Sequence, residues 1–159
     1  MMERPDKVDY YLDIADAVSR RGTCVRRRYG SVIVKNDQIV STGYNGSPRG
    51  RQNCCDVGEC WRAAHNIPHG TNYNLCRAVH SEENAIIAAG RENCIGATLY
   101  LCGREVDTGE IIVHADSCMM CKRAIINAGI TRVIIRDNDE IDRRRVIDVK
   151  ASWVDTEVD

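Results

Sequence analysis

Two segments of the sequence decide the fold: HSEENAIIAAG at residues 80–90 and CMMCKRAIINAG at residues 118–129. Each opens with residue types that bind metals, continues with helix-forming residues and stops at a glycine, where helices commonly end. Between them, ATLYLC at residues 97–102 has the composition of a strand. The pattern predicts helices over residues 81–89 and 118–128, with a strand between them in the chain.

Outward from these segments, the sequence continues to alternate between predicted helices and strands. Two of the strands are joined by Asn36-Asp37, residue types that favour a tight hairpin turn. The further predicted elements are a helix at 6–21 and strands at 31–34, 38–42, 131–136 and 146–149. Strands that alternate with helices of this length predict an α/β fold, namely a three-layer α/β/α sandwich around a mixed sheet of about five strands.

The length and composition indicate one globular domain. The chain has 159 residues, 43% of them hydrophobic, and a formal net charge of −1. We therefore expect a single domain over residues 1–159. The near-neutral charge creates no positive field for nucleic acid, and no apolar run in the sequence approaches the roughly 20 residues that span a membrane. These features predict a cytoplasmic protein that binds neither membranes nor nucleic acid.

Cysteine is the most informative residue type in this composition. The chain has nine cysteines, an odd number that suits metal binding better than a disulfide framework, and the cytoplasm keeps thiols reduced. Residues 50–78 combine cysteine with glycine, asparagine and proline and show little periodicity. An aperiodic stretch of this length inside a compact domain needs a cross-link, and metal binding supplies folding energy. We therefore predict a metal-stapled insertion at about 50–78.

A candidate catalytic centre is formed by His80, Glu82, Cys118 and Cys121. A Cys-x-x-Cys pair at a helix start directs both sulfurs to one point, where the helix dipole favours thiolates. One histidine and two thiolates leave a zinc ion with an open fourth position, as catalytic zinc sites require. Zinc lowers the pKa of its bound water to about 7, and Glu82 is close enough in sequence to His80 to carry protons beside the metal. The four residues predict hydrolytic zinc chemistry.

The His-x-Glu and Cys-x-x-Cys motifs, each at the start of a helix, resemble the signature of zinc-dependent deaminases. The segment TGYNGSPRG at residues 42–50 is similar to deoxycytidylate deaminases in particular, because the nucleoside deaminases of the superfamily lack it. Other similar segments lie at 29–34, 76–80 and 121–129. The resemblance spans about residues 6–136 and implies a cytidine deaminase-like fold. It also implies a hydrolase of the cytidine/deoxycytidylate deaminase superfamily that converts dCMP to dUMP and ammonia for thymidylate synthesis.

The resemblance further implies roles for individual residues. His80, Cys118 and Cys121 would bind the catalytic zinc, and Glu82 would be the general acid/base. The substrate contacts would come from Asn45, to the sugar or phosphate, and from an arginine that reaches the 5′-phosphate. The candidates for that arginine are Arg49, Arg27 and the neighbours of Arg27, Arg26 and Arg28.

Partners and regulators follow from the same resemblance. Relatives are commonly homo-oligomers and often hexamers, so we expect a homo-oligomer, with a hexamer as the expected state. Feedback by dCTP and dTTP is common in the family, and Mg²⁺ would accompany the allosteric nucleotide. The choice between a deoxyribose and a ribose nucleotide depends on a few sugar contacts and is left open by the sequence.

A second, structural zinc is implied by those family members that pin the insertion with a metal. Cys24 and Cys54 match their pattern best, and a closed four-thiolate site would be typical of structural zinc. The predicted ligands are Cys24, Cys54, Cys60 and Cys76, with His65 or His69 as a substitute for one thiolate.

Two positions depart from the family pattern. Ser117 stands where the family usually has proline before the first catalytic cysteine, and serine can also begin a helix. Ser81 stands where the family has alanine between the histidine and the glutamate. We expect zinc binding to survive the first change and proton transfer to be little affected by the second.

Three other functions are compatible with parts of the pattern. The site could belong to a deaminase of another amino-heterocycle, such as tRNA adenosine, guanine or a riboflavin precursor, although the segment at 42–46 speaks against tRNA. A non-catalytic zinc module would have no need of Glu82. A thiol-disulfide oxidoreductase would use Cys118 and Cys121 without His80 or Glu82. The carboxylate beside the metal-binding residues therefore favours the deaminase.

Overall fold

A five-stranded mixed sheet forms the centre of the molecule in a computed structural model that describes residues 1–153. Its strands are β1 (Arg27–Lys35), β2 (Gln38–Tyr44), β3 (Thr98–Glu105), β4 (Arg132–Arg136) and β5 (Arg144–Asp148). The order across the sheet is β2-β1-β3-β4-β5. β3 and β4 are parallel, and every other neighbouring pair is antiparallel. The predicted mixed sheet is therefore confirmed.

Helices lie before, between and after these strands along the chain, except that β2 follows β1 directly and β5 follows β4 directly. They are α1 (Lys7–Ser19), α2 (Cys54–Val57), α3 (Trp61–Ala64), α4 (Ser81–Ala89), α5 (Arg91–Cys94), α6 (Met119–Ala128) and α7 (Val149–Ser152), with a 3₁₀ turn at Tyr73–Leu75. α4 and α6 are the helices predicted from the two deciding segments, and each ends at the expected glycine, Gly90 and Gly129. Within residues 1–153, none of the helices combines the length and the hydropathy needed to cross a membrane.

α1 covers one face of the sheet. Leu12 and Ala15 of this helix are fully buried in a core that also contains Val32 and Val34 of β1. Side chains alternate between the two faces along a strand. Ile33, between these two valines, accordingly belongs to the core on the other face. Because its side chains alternate, β1 contributes residues to both cores of the molecule.

α4 and α6 pack on the opposite face. Ala85 of α4 and Ile125 of α6 are fully buried there. The strand residues of this core include Ile33, Leu99, Leu101, Val133 and Ile135. Helices on both faces of the sheet give three layers, so the predicted α/β/α sandwich is confirmed. The single-domain prediction for residues 1–159 includes residues 154–159, which lie outside the described residues, and it stays a prediction.

Two glycines allow helices to approach the sheet at backbone distance. A Cβ atom added at Gly43 of β2 would lie 2.4 Å from the backbone nitrogen of Ala85 and 2.4 Å from the carbonyl oxygen of Ser81, both in α4. A Cβ atom added at Gly30 of β1 would lie 2.1 Å from the carbonyl oxygen of Ala15 in α1. Neither position accommodates a side chain without displacement of a helix. The start of α4 is therefore seated directly on the sheet.

The cysteine-rich insertion is closed at its base by backbone hydrogen bonds. The N–H of Gly46 donates to the carbonyl oxygen of Val79 at 3.1 Å, and the N–H of Val79 donates to Gly46 at 2.7 Å. The N–H of Cys55 donates to the carbonyl oxygen of Thr23 at 3.0 Å, which attaches the insertion to the segment before β1. The insertion thus leaves β2 and returns to α4 at one point, beside the first residue of the His-x-Glu motif.

Candidate active site and metal centre

Two helix N-termini meet at the candidate metal centre. His80 is the N-cap residue of α4, Cys118 is the N-cap residue of α6, and Cys121 lies in the first turn of α6. The Nδ1 atom of His80 is 3.4 Å from the Cys118 sulfur and 3.3 Å from the Cys121 sulfur. Within residues 1–153, these residues form the one group of three or more metal-binding side chains whose ligand atoms all lie within 4.8 Å of one another.

The distances in this group fit a tetrahedral zinc ion. Zinc binds sulfur at about 2.3 Å and imidazole nitrogen at about 2.0 Å, and a tetrahedral angle between such bonds places the two donor atoms roughly 3.5 Å apart. The nitrogen–sulfur separations of 3.4 and 3.3 Å agree with this value. Thiolate and imidazole are also donors that suit zinc. The side chains therefore fit zinc, with one coordination position open.

The position of Cys118 at the N-terminus of α6 favours the deprotonated sulfur that binds a metal. The Cys118 sulfur accepts the backbone N–H of Cys121 at 3.5 Å and so caps the helix, a role that the sequence suggested for Ser117. The hydrogen bond from the Cys121 thiol lowers the pKa of Cys118 to about 4, and the same bond raises the pKa of Cys121. The contact with Cys118 also raises the pKa of His80. The two thiols and the imidazole share protons, and a bound metal ion would take the place of those protons.

Glu82 lies beside the metal-binding side chains without belonging to their group. It is 5% exposed and lines the same cavity as His80 and Cys118. The hydroxyl of Ser81 donates a hydrogen bond to Glu82 Oε1 at 2.9 Å. A general acid/base must reach the substrate rather than bind the metal. The position of Glu82 meets that requirement.

One cavity contains the metal-binding residues and Glu82 together with aromatic and basic side chains. The ring of Tyr73 stands edge-on to the His80 imidazole, with ring centroids 5.4 Å apart. The guanidinium of Arg62 lies 4.9 Å from the centre of the Tyr73 ring. Three arginines also line the cavity, Arg26, Arg27 and Arg62. Positive charge is therefore concentrated near the metal-binding side chains, which favours an anionic ligand.

Only some of the predicted substrate-binding residues lie in the wall of the cavity. Asn45 and Arg27 line the cavity, whereas Arg49 is exposed and lies outside its lining. The Asn45 amide is engaged by the backbone of β1, since its Oδ1 accepts the N–H of Tyr29 at 2.8 Å and its Nδ2 donates to the carbonyl oxygen of Arg27 at 2.9 Å. Arg27 forms an ion pair with Glu105 at 2.9 Å. These positions favour Arg27 over Arg49 as a phosphate ligand, and substrate contact by Asn45 stays a prediction.

Arg62 and Tyr73 line the cavity, and neither was predicted from the sequence. Arg62 is only 5% exposed, and its guanidinium donates to the carbonyl oxygens of Pro68 and Thr71. Both residues lie in the insertion, where no apolar periodicity marks a buried position. Arginine is usually a solvent-exposed residue, so the sequence carried no signal for this burial.

The cysteines predicted to bind a structural zinc share one neighbourhood. Cys24, Cys60 and Cys76 line the same cavity as His80 and Cys118. Burial raises the pKa of Cys54, and the nearby Cys24, Cys76 and Cys60 raise it further. Over the described residues 1–153, no three of these sulfur atoms come within 4.8 Å of one another. The structural zinc therefore stays a prediction.

Sequence comparisons identify the family of this chain. Residues 5–136 match the model of the cytidine and deoxycytidylate deaminase zinc-binding region. The deoxycytidylate deaminase of Mycobacterium phage D29 is 36% identical over 137 residues, which cover 84% of this chain and 96% of that protein. The deoxycytidylate deaminase of Schizosaccharomyces pombe is 31% identical over 153 residues, which cover 95% of this chain and 43% of that protein.

Solved structures share the fold. The dCMP deaminase of the cyanophage S-TIM5 in its apo form has a TM-score of 0.58 at 24% identity, covering 88% of this chain and 90% of that chain. The cytidine deaminase of Mycobacterium tuberculosis has a TM-score of 0.51 at 14% identity, covering 94% of this chain and 99% of that chain. Because the family model matches residues 5–136, the chain belongs to the cytidine and deoxycytidylate deaminase family, a family of hydrolases. The resemblance drawn from the sequence is confirmed.

Replacement of Cys118 by serine is expected to lower the zinc content by about one ion per chain, because a serine hydroxyl is a poor substitute for a thiolate. Zinc per purified chain is measured by mass spectrometry of the metal. Cys55→Ser is the matched control, since Cys55 is an exposed cysteine outside both predicted ligand sets. An unchanged zinc content in the Cys118→Ser protein would contradict the assignment of this ligand.

Proposed function

We propose that the protein is a zinc-dependent deaminase that converts dCMP and water to dUMP and ammonia, supplying dUMP for thymidylate synthesis. The observation that carries the proposal is the buried carboxylate of Glu82 in the cavity that also contains His80 and Cys118. Family membership supports the reaction class. The relatives named deoxycytidylate deaminase in phage D29 and in Schizosaccharomyces pombe support the choice of substrate.

The proposed reaction needs an activated water molecule and proton transfers at two atoms of the pyrimidine. Zinc bound by His80, Cys118 and Cys121 would act as a Lewis acid and make hydroxide available near neutral pH. Glu82 takes the proton that the water releases and delivers it to ring nitrogen N3 as the new C4–O bond forms. Glu82 next moves the hydroxyl proton of the tetrahedral adduct to the amino group. The C4–N bond then breaks, and ammonia and dUMP leave.

Glu82→Ala is expected to lower kcat by about 10²–10⁴-fold, because it removes the proton carrier and no metal ligand. Turnover is measured as dUMP formed from dCMP by the zinc-replete protein, and zinc per chain should equal that of the wild type. Glu92→Ala is the control for the loss of a carboxylate, at an exposed position in α5. If Glu82→Ala kept most of the activity, another group would have to transfer the protons.

The basic residues of the cavity support a nucleotide rather than a nucleoside as substrate. A 5′-phosphate is doubly charged near neutral pH, and the planar guanidinium group matches its geometry. Arg62 is already engaged by loop carbonyl groups, and Arg26 contacts His69 Nδ1 at 2.7 Å. Arg27 lines the cavity from β1, and its ion pair with Glu105 is partly exposed. We therefore assign the phosphate contact to Arg27, with Arg26 beside it.

Arg27→Ala is expected to raise KM for dCMP by roughly 10-fold to 100-fold, because removal of a charge-assisted hydrogen bond to a substrate weakens binding by about that factor. The KM for deoxycytidine, which has no phosphate, should change little in the same variant. Arg51→Ala, at an exposed position outside the cavity lining, is the control. A rise in KM for dCMP that appeared in Arg49→Ala instead would transfer the phosphate contact to that residue.

A structural zinc bound by Cys24, Cys54, Cys60 and Cys76 is a further part of the proposal. Its support is the nearness of Cys24, Cys60 and Cys76 to Cys54, whose pKa they raise, together with the short helices of the insertion, which bury little apolar surface of their own. A closed site at this position would link the insertion to the segment before β1. It would thereby stabilise one wall of the cavity.

Cys54→Ser is expected to remove one zinc ion per chain and to lower the melting temperature, because the metal contributes folding energy. Zinc content and thermal unfolding are measured on the same preparation. Combining Cys54→Ser with Cys118→Ser should remove two zinc ions, since the two proposed ligand sets have no residue in common. A Cys54→Ser protein with the zinc content of the wild type would rule out Cys54 as a ligand.

We further propose, from the resemblance, that the protein is a homo-oligomer, with a hexamer as the expected state. We also propose feedback by dCTP and dTTP, with Mg²⁺ bound together with the effector nucleotide. The cytoplasm is the proposed location. Another amino-heterocycle remains the alternative substrate class. Turnover assays with dCMP distinguish directly between dCMP and that class as the substrate.

A further inference from the structure

A chain of hydroxyl groups connects Glu82 to the central sheet. Ser31 of β1 and Ser81 of α4 are both fully buried, and their hydroxyl oxygens are 2.8 Å apart across 50 residues of sequence. The Ser81 hydroxyl lies 2.9 Å from Oε1 of Glu82 and donates a hydrogen bond to it. The three side chains therefore form a continuous line from the sheet to the cavity.

The direction of the hydrogen bonds in this line is determined by the proton count. A serine hydroxyl has one proton to donate. Because Ser81 donates its proton to the Glu82 carboxylate, its contact with Ser31 must be one in which Ser31 donates. The bonds therefore run from Ser31 to Ser81 and from Ser81 to Glu82. Hydrogen bonds in such a chain polarise and strengthen one another.

The first member of this chain is rigid. Ser31 lies in the middle of β1 and pairs with Gly43 of β2 on one side and with Leu101 of β3 on the other. A glutamate side chain has three rotatable bonds, and a proton carrier must be confined to the orientation in which it reaches the substrate. A hydrogen bond anchored in a central strand supplies that restraint.

We propose that Ser31 and Ser81 are positioning residues that orient the Glu82 carboxylate toward the reacting ring, an inference that rests on the proposed function. Alanine at position 81, as in the family pattern, could make neither hydrogen bond. The proposal therefore replaces the expectation from the sequence that serine at position 81 has little effect on proton transfer. Ser81 acts on Glu82 directly, and Ser31 acts only through Ser81.

The decisive experiment compares kcat and KM for dCMP in the wild type, Ser31→Ala, Ser81→Ala and the double variant. Ser81→Ala is expected to lower kcat about tenfold, the effect of losing a charge-assisted hydrogen bond that orients a reacting group. KM should change by less than about twofold, because the substrate contacts remain. Ser31→Ala should lower kcat by a smaller factor, and the double variant should match Ser81→Ala.

Ser41 supplies a matched control. It is a buried serine of β2 whose hydroxyl donates to the carbonyl oxygen of Ala85 in α4 at 2.7 Å, so it bonds the same helix without touching Glu82. Ser41→Ala should keep kcat near the wild-type value, whatever its effect on thermal unfolding. An equal loss of kcat in Ser41→Ala and Ser81→Ala would overturn the proposal, because it would indicate a general loosening of α4. Unchanged kcat in Ser81→Ala would overturn it as well.

Thermal unfolding tests the hydrogen-bond chain independently of turnover. Ser31→Ala should lower the melting temperature in the wild-type background and have a smaller or reversed effect in the Ser81→Ala background, where its partner is already gone. Equal shifts in the two backgrounds would refute the chain. If the variants showed this coupling but the wild type formed no dUMP, the proposed function would be refuted instead, so the two failures are distinguishable.

Discussion

The close approach of α4 to the sheet is the constraint on which the site depends. Gly43 leaves room for the backbone at Ser81 and Ala85 to lie against β2, where any side chain would collide with it. That contact fixes the N-terminus of α4, and with it the positions of His80 and Glu82. α6 begins on the same face of the sheet, so its first turn brings two sulfur atoms to the histidine.

Charge is distributed in the cavity in a way that matches a nucleotide. Two helix N-termini stabilise negative charge at the sulfurs and the carboxylate, while the arginines from β1 and from the insertion line the same cavity. A substrate with a neutral, polarisable ring and an anionic phosphate would bring the ring to Glu82 and the phosphate to the arginines. The insertion contributes both to the cavity wall and to its positive charge, which gives a physical reason to cross-link it with a second metal.

The parts of this structure that periodicity describes were predictable from sequence. α4, α6 and the strand between them follow from helix and strand patterns ending at Gly90 and Gly129, and the His-x-Glu and Cys-x-x-Cys motifs led to the group of metal-binding side chains. Contacts between distant segments that carry no recognisable motif were not predictable. The hydroxyl contact between Ser31 and Ser81 spans 50 residues, and nothing in either local segment reports it. The burial of Arg62 depends on carbonyl groups that only the folded insertion presents.

The central claim is that His80, Cys118 and Cys121 hold a catalytic zinc beside Glu82 for the deamination of dCMP. It is tested most directly by following dUMP formation from dCMP with the purified protein before zinc removal, after chelation, and after zinc is restored. We expect turnover that disappears with the metal and returns with it. Failure of the zinc-loaded protein to form dUMP, with zinc confirmed at one or more ions per chain, would show that these residues do not form a dCMP deaminase site.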